Sequence, residues 1–83
     1  MAMLYKIPLV LTPQPEGGFT VTSPLLPELV TEGDTPGEVL ANVSDAIAAV
    51  VEAYEDLGRP LPACLQHVDH SSPVWMETVV SVP

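Results

Sequence analysis

The chain has 83 residues and a mass of 8.8 kDa, so we expect a single domain over residues 1–83 and no second one. Its 2 basic and 11 acidic residues give a formal net charge of −9 at pH 7. Because affinity for nucleic acid depends on Lys and Arg that displace counterions from phosphates, this charge argues against direct nucleic-acid binding and favours a basic protein partner. A core this small also makes homo-oligomerisation an expectation.

The first half of the chain predicts three strands. Residues 5–12 alternate apolar and polar side chains, which is typical of a strand, although Pro8 cannot donate to a sheet and favours an edge or a bulge. Residues 12–18 combine prolines with a Gly-Gly pair and predict a hairpin turn. Residues 19–23 alternate again and are rich in β-branched side chains, and residues 29–32 are short enough for a third strand.

A long amphipathic helix follows these strands. Thr35 can cap it, Pro36 suits the first helical position, and Glu38 completes a Thr-x-x-Glu capping box. Gly58 and Pro60 supply the stop signal. Its apolar residues form one stripe that has to cover the sheet, and they are Val39, Leu40, Val43, Ala46, Ile47, Val50, Val51, Tyr54 and Leu57.

After the helix, residues 61–73 read as a loop and residues 74–82 as a last strand. The second face of that strand also carries apolar side chains, Trp75 and Val79. A strand that is apolar on both faces is either sandwiched or part of an oligomer interface. The expected architecture is thus a two-layer α+β domain in the order β-β-β-α-β.

The sequence contains few features that indicate a cellular compartment. Cys64 is the only cysteine, so an intramolecular disulfide is impossible, and no signal peptide or apolar stretch of membrane-spanning length is recognisable. These features predict a cytoplasmic protein that does not associate with membranes.

Catalytic and metal chemistry finds little support in the sequence. The first two strands carry no carboxylate, so a two-metal nuclease site is not expected, and no phosphate-binding glycine motif is present. Cys64, His67 and His70 could chelate zinc or nickel as a three-ligand set, but a buried cysteine with solvated loop histidines explains the same pattern. We therefore expect a binding protein without catalytic residues, metal or cofactor, and keep metal binding as a lesser alternative.

Acidic residues are the strongest candidates for partner contact. Glu38, Asp45 and Glu52 recur every seven residues and line one exposed helix face, while a second group, Glu28, Glu32 and Asp34, lies in the segment before the helix. Either group could attract a basic partner, and a solvated outer face explains the helix residues equally well.

Several short motifs occur in a characteristic order. They are Gly17-Gly18-Phe19, Pro24, Leu26-Pro27, Thr31-x-Gly33-Asp34-Thr35 and Gly58-x-Pro60-x-Pro62. In this order and spacing the chain resembles the HicB antitoxin family over about residues 5–62. The departures from the family pattern are Leu25 for Asp, Glu28 for Gly and Leu29 for Cys.

The resemblance implies a partly reduced ribonuclease H-like fold and a function as an antitoxin that neutralises a small basic toxin, a HicA-like ribonuclease, by protein contact. Many family members add a DNA-binding domain, and because few residues follow the helix we expect none in this chain. A solitary, homo-oligomeric HicB-like structural protein without a toxin partner is the alternative, with Trp75 and Val79 at the interface between copies.

Overall fold

The computed structural model describes residues 3–63 and 65–83. In chain order its elements are β1 (Tyr5–Lys6), β2 (Val10–Pro13), β3 (Phe19–Thr22), β4 (Val30–Gly33), α1 (Pro36–Asp56) and β5 (Gln66–His67). The α+β class and the β-β-β-α succession are confirmed. A relationship to ribonuclease H remains a prediction.

The main sheet is antiparallel, with the strand order β2-β3-β4. Leu11 pairs with Val21, and Val21 pairs in turn with Thr31 across the central strand. The turn between β2 and β3 is closed by two backbone hydrogen bonds of 3.0 Å, from Gly17 to Gln14 and from Gln14 to Gly18. Gly17 and Gly18 have φ angles of 101° and 76°, the left-handed conformation that their lack of a Cβ permits. The predicted hairpin is therefore confirmed.

The predicted first strand, residues 5–12, is divided in two. Pro8 lies in the gap between β1 and β2, where its missing N–H is not required by a ladder. β1 leaves the main sheet and pairs antiparallel with β5, matching Tyr5 to His67. The proline thus ends one strand pairing and allows the chain to begin another.

The helix has the predicted ends. At the start, the Thr35 hydroxyl accepts the backbone N–H of Glu38 at 3.2 Å. At the other end, Gly58 with a φ of 65° donates to the Glu55 carbonyl, and Arg59 donates to the Tyr54 carbonyl, both at 3.0 Å. These two bonds form a Schellman motif, which satisfies carbonyls that the last helical turn leaves without partners.

The core lies between the helix and the sheet. Its buried apolar residues are Val21, Leu26, Leu29, Val39, Val43 and Leu65. Leu26 and Leu29 come from the proline-containing connection between β3 and β4, which therefore contributes to the core as well as crossing the domain. Two residues of the predicted apolar stripe, Leu40 and Leu57, are instead exposed.

The predicted last strand is wrong in this structure. Residues 73–83 form no strand, and the short β5 precedes them. Trp75 is 87% exposed and Val79 is 52% exposed. The Cα radius of gyration, 13.8 Å, exceeds the ~12 Å expected for a compact domain of this length, in keeping with a terminal segment that packs poorly. Alternation alone did not produce a strand, because a strand needs a partner edge to pair with.

In the described part of the chain, no helix has both the length and the apolar character that crossing a membrane requires.

Candidate protein-binding site

Four exposed carboxylates surround one concave surface where the β2–β3 turn meets the start of α1. They belong to Glu16 in the turn, Glu32 in β4, Asp34 after β4, and Glu38 in the first turn of the helix. The cavity between them has a volume of about 350 Å³, and Gln14, Gly17, Gly18, Phe19 and Gly33 complete its lining. We call these four residues the acidic cluster.

Glycines bring the two parts of the acidic cluster together. A Cβ added at Gly18 would lie 3.0 Å from Asp34 Oδ1 and 3.1 Å from the Gly33 carbonyl oxygen. One at Gly33 would lie 2.7 Å from the backbone nitrogen of Val39. The hairpin turn, the end of β4 and the helix start can approach this closely only because both positions lack side chains.

The electrostatics of the acidic cluster suit a cationic ligand. Its carboxylates have the same sign and are solvated, so they create a negative potential without a positive side chain in the cavity lining. The N-terminus of α1 offsets part of their mutual repulsion, since the helix dipole favours acidic groups in the first turn. Such a surface attracts a basic protein and steers its approach.

The predicted partner residues fall into three places. Glu32, Asp34 and Glu38 come together in the acidic cluster. Asp45 and Glu52 follow Glu38 along the helix at a heptad spacing and are exposed, so they extend the negative surface beyond the cavity.

This helix flank is anchored to the sheet. Asn42 Nδ2 donates to the Glu32 carbonyl oxygen at 2.7 Å, which fixes the acidic side of α1 against the β4 edge. Glu28 lies apart from the cluster, and its Oε2 accepts the Tyr54 hydroxyl at 3.4 Å. Glu28 therefore takes part in a contact between the β3–β4 connection and the last part of the helix.

Glu16 is the cluster residue that the sequence interpretation missed. It lies 16 residues before Glu32 in the chain, and only the hairpin register, which places Phe19 opposite both Pro13 and Gly33, brings it near. The available signal was the Gly17-Gly18 turn itself, since a hairpin next to a third antiparallel strand returns its tip to the end of that strand.

A second concave surface is mostly apolar. A groove of about 820 Å³ runs between residues 6–11, the helix start and residues 75–79. Ile7, Leu9 and Leu11 line one side, Val39 and Leu40 come from the helix, and Lys6 is the one cation in the lining. Trp75 and Val79, the predicted interface residues, form part of its other side. We call this the apolar groove.

Two of the three proposed metal ligands, His67 and His70, lie in the described part of the chain. Cys64 lies outside the described residues. The His67 ring packs edge to face on Tyr5, with 5.9 Å between ring centroids, and His70 is exposed in the following turn. Within residues 3–63 and 65–83, no group of three or more His, Cys, Asp or Glu side chains is placed to hold a metal ion.

Sequence comparison identifies relatives of this chain. Antitoxin HicB of Escherichia coli K12 is 36% identical over 67 residues, which are 78% of this chain and 49% of that protein. Antitoxin HicB 1 of Photorhabdus laumondii is 37% identical over 68 residues, 77% of this chain and 44% of that protein. The UPF0150 protein Ta0767 of Thermoplasma acidophilum is 32% identical over 57 residues, 69% of this chain and 83% of that protein. The chain belongs to the HicB-like family.

The HicB-like chain spans about half the length of the curated antitoxins that it matches. No protein-family model matches it, and no solved structure matches it. The family resemblance inferred from the motifs is confirmed by the two antitoxins and by the UPF0150 protein.

Proposed function

We propose that this HicB-like chain is an antitoxin module that neutralises a small basic ribonuclease toxin by direct contact, without catalysis. The observation that carries the proposal is the acidic cluster, which Asp45 and Glu52 extend along the helix flank. Two relatives that bear the name antitoxin HicB support the same role.

The mechanism follows from the way a ribonuclease holds RNA. Such an enzyme needs Lys and Arg side chains to bind phosphates. A protein with a net charge of −9 that presents carboxylates on one concave surface competes for those cations. Docking at the acidic cluster would then cover the RNA-binding surface of the toxin.

A salt-dependent pull-down tests the proposal. The tagged chain is incubated with lysate of its source cell at low and high salt, and the bound proteins are identified by mass. We expect one small basic protein whose capture decreases at high salt, because exposed charges more than about 8–10 Å apart are screened at physiological ionic strength and above. The captured protein is then purified and assayed for RNA cleavage, with and without the HicB-like chain.

Charge-reversal variants make the test specific. Glu32→Lys combined with Glu38→Lys should abolish inhibition of the captured ribonuclease, because two attractions become repulsions. Asp45→Lys combined with Glu52→Lys tests whether the negative surface further along the helix also contributes to inhibition. Glu55→Lys combined with Asp56→Lys, an equal change of charge on the same helix but outside the cavity lining, is the control and should retain inhibition.

Three results would reject the proposal. They are a captured protein that lacks ribonuclease activity, an isolated chain that itself cleaves RNA, and equal inhibition by the cluster variant and the control. Recovery of the chain alone would favour the solitary homo-oligomeric alternative.

A further inference from the structure

The outer edge of β4 is open, and a helix side chain shows which of its backbone groups face outward. Among the strands that the structure describes, β4 pairs only with β3, so its other side has no partner strand. Residues of an edge strand direct their N–H and C=O groups alternately toward the neighbouring strand and outward. Asn42 Nδ2 of the helix donates to the Glu32 carbonyl at 2.7 Å, so the backbone of Glu32 points outward. Val30, two residues earlier in the strand, points the same way.

The hairpin turn leads independently to the same orientation of the β4 backbone. The Gly18 carbonyl accepts the Gln14 N–H at 3.0 Å, so the backbone groups of Gly18 face β2. Those of Thr20, two residues further along, also face β2. Thr20 lies opposite Glu32, which therefore has no ladder hydrogen bond to β3 and faces the open side of the sheet.

An acidic side of the helix lies beside this open edge. Glu38, Asn42, Asp45 and Glu52 follow one another at intervals of four, three and seven residues. At 3.6 residues per turn they occupy about a quarter of the helix circumference. Because Asn42 bonds to the outward-facing carbonyl of β4, this quarter of the helix is turned toward the edge. The three carboxylates on it are exposed.

Two hydrogen bonds define how α1 runs along β4. Asn42 bonds to the Glu32 carbonyl in the first half of the helix. The Tyr54 hydroxyl donates to Glu28 Oε2 at 3.4 Å near the end of the helix. Because the residue numbers decrease along the strand side as they increase along the helix, α1 runs antiparallel to β4. Asp45 comes between the two contacts and therefore lies beside the middle of β4.

We propose that the outer edge of β4 binds an extended basic segment of a partner protein, which adds a strand to the sheet and places Lys or Arg side chains beside the acidic side of the helix. The N–H and C=O of Val30 and the N–H of Glu32 supply the main-chain hydrogen bonds. The Glu32 carbonyl is already occupied by Asn42. This inference rests on the proposed function, because it names the part of a basic partner that the chain binds. It adjoins the acidic cluster, to which Glu32 and Glu38 also belong.

Charge selects a basic segment over a second copy of this chain. Two β4 edges that paired with each other would bring together two chains of charge −9, each with carboxylates on the strand and on the adjoining helix. Like charges on neighbouring strands are destabilising. The cations of the chain, Lys6 and Arg59, belong to neither β4 nor α1 and so do not neutralise these elements from within.

Strand geometry predicts the sequence pattern of the bound segment. Val21 is fully buried beneath the helix and pairs with Thr31, so the side chains of Val30 and Glu32 lie on the opposite face of the sheet. An added strand has the same alternation. Every second side chain therefore lies on the helix side, near Asp45. The others lie beside Val30, which is 65% exposed. We expect Lys or Arg at every second position, with β-branched residues between them.

A peptide titration tests the edge directly. The probe is acetyl-Lys-Val-Lys-Val-Lys-amide, added to the full ¹⁵N-labelled chain. We expect amide shifts at Val30 and Glu32 and slower hydrogen exchange of their N–H groups, with little change in β2. A control peptide with every backbone nitrogen methylated keeps the charge but has no N–H to donate, and it should bind at least about fivefold more weakly. Equal binding of the two peptides, or shifts that leave Val30 and Glu32 unchanged, overturns the proposal.

Two variants at one position separate the backbone of the edge from its side chain. Val30→Pro removes an outward N–H, and edge strands accept a proline whose missing N–H faces solvent. Val30→Ala shortens the same exposed side chain and keeps the N–H. We expect Val30→Pro to raise the dissociation constant for the peptide at least about fivefold and Val30→Ala to raise it less than about twofold. Circular dichroism should show folded protein in both cases, and equal dissociation constants overturn the proposal.

The same two variants distinguish this inference from the proposed function. If the chain inhibits a captured basic ribonuclease and Val30→Pro inhibits it as well as Val30→Ala does, the function stands and docking at the β4 edge is rejected. If no ribonuclease is captured but the peptide still binds at Val30 and Glu32, the toxin-neutralising function is rejected and the edge is supported as a site for basic segments. A homodimer that Val30→Pro dissociates and Val30→Ala does not would show that a second copy occupies the edge, which overturns the proposal.

Discussion

Gly33 lies directly against Val39, so closely that a Cβ on the glycine would be 2.7 Å from the Val39 backbone nitrogen and 2.9 Å from its Cγ2. Gly33 ends β4, and Val39 begins the buried face of α1. The contact sets the distance between the sheet and the helix. It also fixes Asp34 and Glu38, which flank it in the chain, at the rim of the acidic cavity.

Gly33→Ala should therefore destabilise the fold. The added methyl group meets the Val39 backbone, which cannot move aside as a flexible side chain can. The free energy of unfolding should therefore fall by about 2 kcal/mol, within the 1–3 kcal/mol typical of overpacking. Thermal unfolding followed by circular dichroism should show a midpoint lowered by about 10 °C, given ~4–8 °C per kcal/mol in domains of this size.

Gly37→Ala is the matched control for this prediction. Gly37 lies in the first turn of the same helix, and a Cβ there would have no atom within 4 Å. This variant should be more stable by about 0.5 kcal/mol, because alanine restricts the unfolded chain and favours the helix. Similar midpoints for the two variants would contradict the close packing of β4 on α1.

Gly58 makes a second, independent prediction, at the end of the helix. Its φ of 65° costs an L-residue with a Cβ about 1–2 kcal/mol. Gly58→Ala should lose about 1 kcal/mol of stability, and Gly58→Asn should lose less, because asparagine tolerates the left-handed region better. Amide hydrogen exchange should accelerate at Arg59, whose N–H donates to Tyr54. Unchanged exchange at this amide would argue against the Schellman motif.

Parts of the fold that depend on local signals could be predicted from the sequence. The helix bounds followed from Thr35, Pro36 and Gly58, each of which acts on backbone groups within a few residues of itself. The hairpin turn followed in the same way from the two glycines and the preceding proline.

Non-local features were harder to predict. Pro8 indicated an irregularity but not that β1 would leave the sheet to pair with β5, because that choice depends on residues about 60 positions further along. Residues 74–82 alternate like a strand but pair with no other strand within residues 3–63 and 65–83. Glu16 joins the acidic cluster only through the sheet register. These features depend on which strands pair with each other, and the hydrophobic pattern of one strand does not specify its partner.

Asn42 connects the helix to β4, which makes it a test of the geometry of the acidic surface. Its side-chain amide donates to the Glu32 carbonyl at 2.7 Å. Asn42→Ala removes this bond but improves helix propensity, so the net loss should be about 0.5–1 kcal/mol. The effect is measured by urea unfolding monitored by circular dichroism.

Ser44→Ala is the comparison for Asn42, since it is an exposed polar residue of the same helix. The Ser44→Ala variant should gain a few tenths of a kcal/mol in free energy of unfolding, because alanine has the higher helix propensity. If Asn42→Ala were stabilising to the same extent, the hydrogen bond to β4 would contribute nothing, and the acidic side of the helix would not be held against the sheet by this residue.

Asp69 allows a prediction about pH. Its Oδ1 accepts the Ser71 backbone N–H at 2.9 Å and the Ser71 hydroxyl at 2.8 Å, and its Oδ2 accepts the Ser72 hydroxyl at 3.1 Å. The Ser71 backbone bond, followed by the two hydroxyl bonds, lowers the pKa of Asp69 below its ordinary value of 3.8. Because the pKa of Asp69 is lower in the folded state, these bonds stabilise the turn fully at pH values above the ordinary pKa of an aspartate. The stabilisation is lost as the pH falls through the pKa of the folded state.

NMR titration of the Asp69 carboxyl carbon should accordingly give a midpoint below 3.8, and the Ser71 amide proton should shift with the same midpoint. Combining Ser71→Ala with Ser72→Ala removes both hydroxyl donors but keeps the backbone donor, so the pKa should rise only part of the way to its ordinary value. Because the carboxyl is fully exposed, the thermal midpoint of the whole domain should not change between wild type and this variant. A midpoint of 3.8 or higher in the wild-type chain, or one that the double variant does not move, would show that the turn around Asp69 does not form in solution.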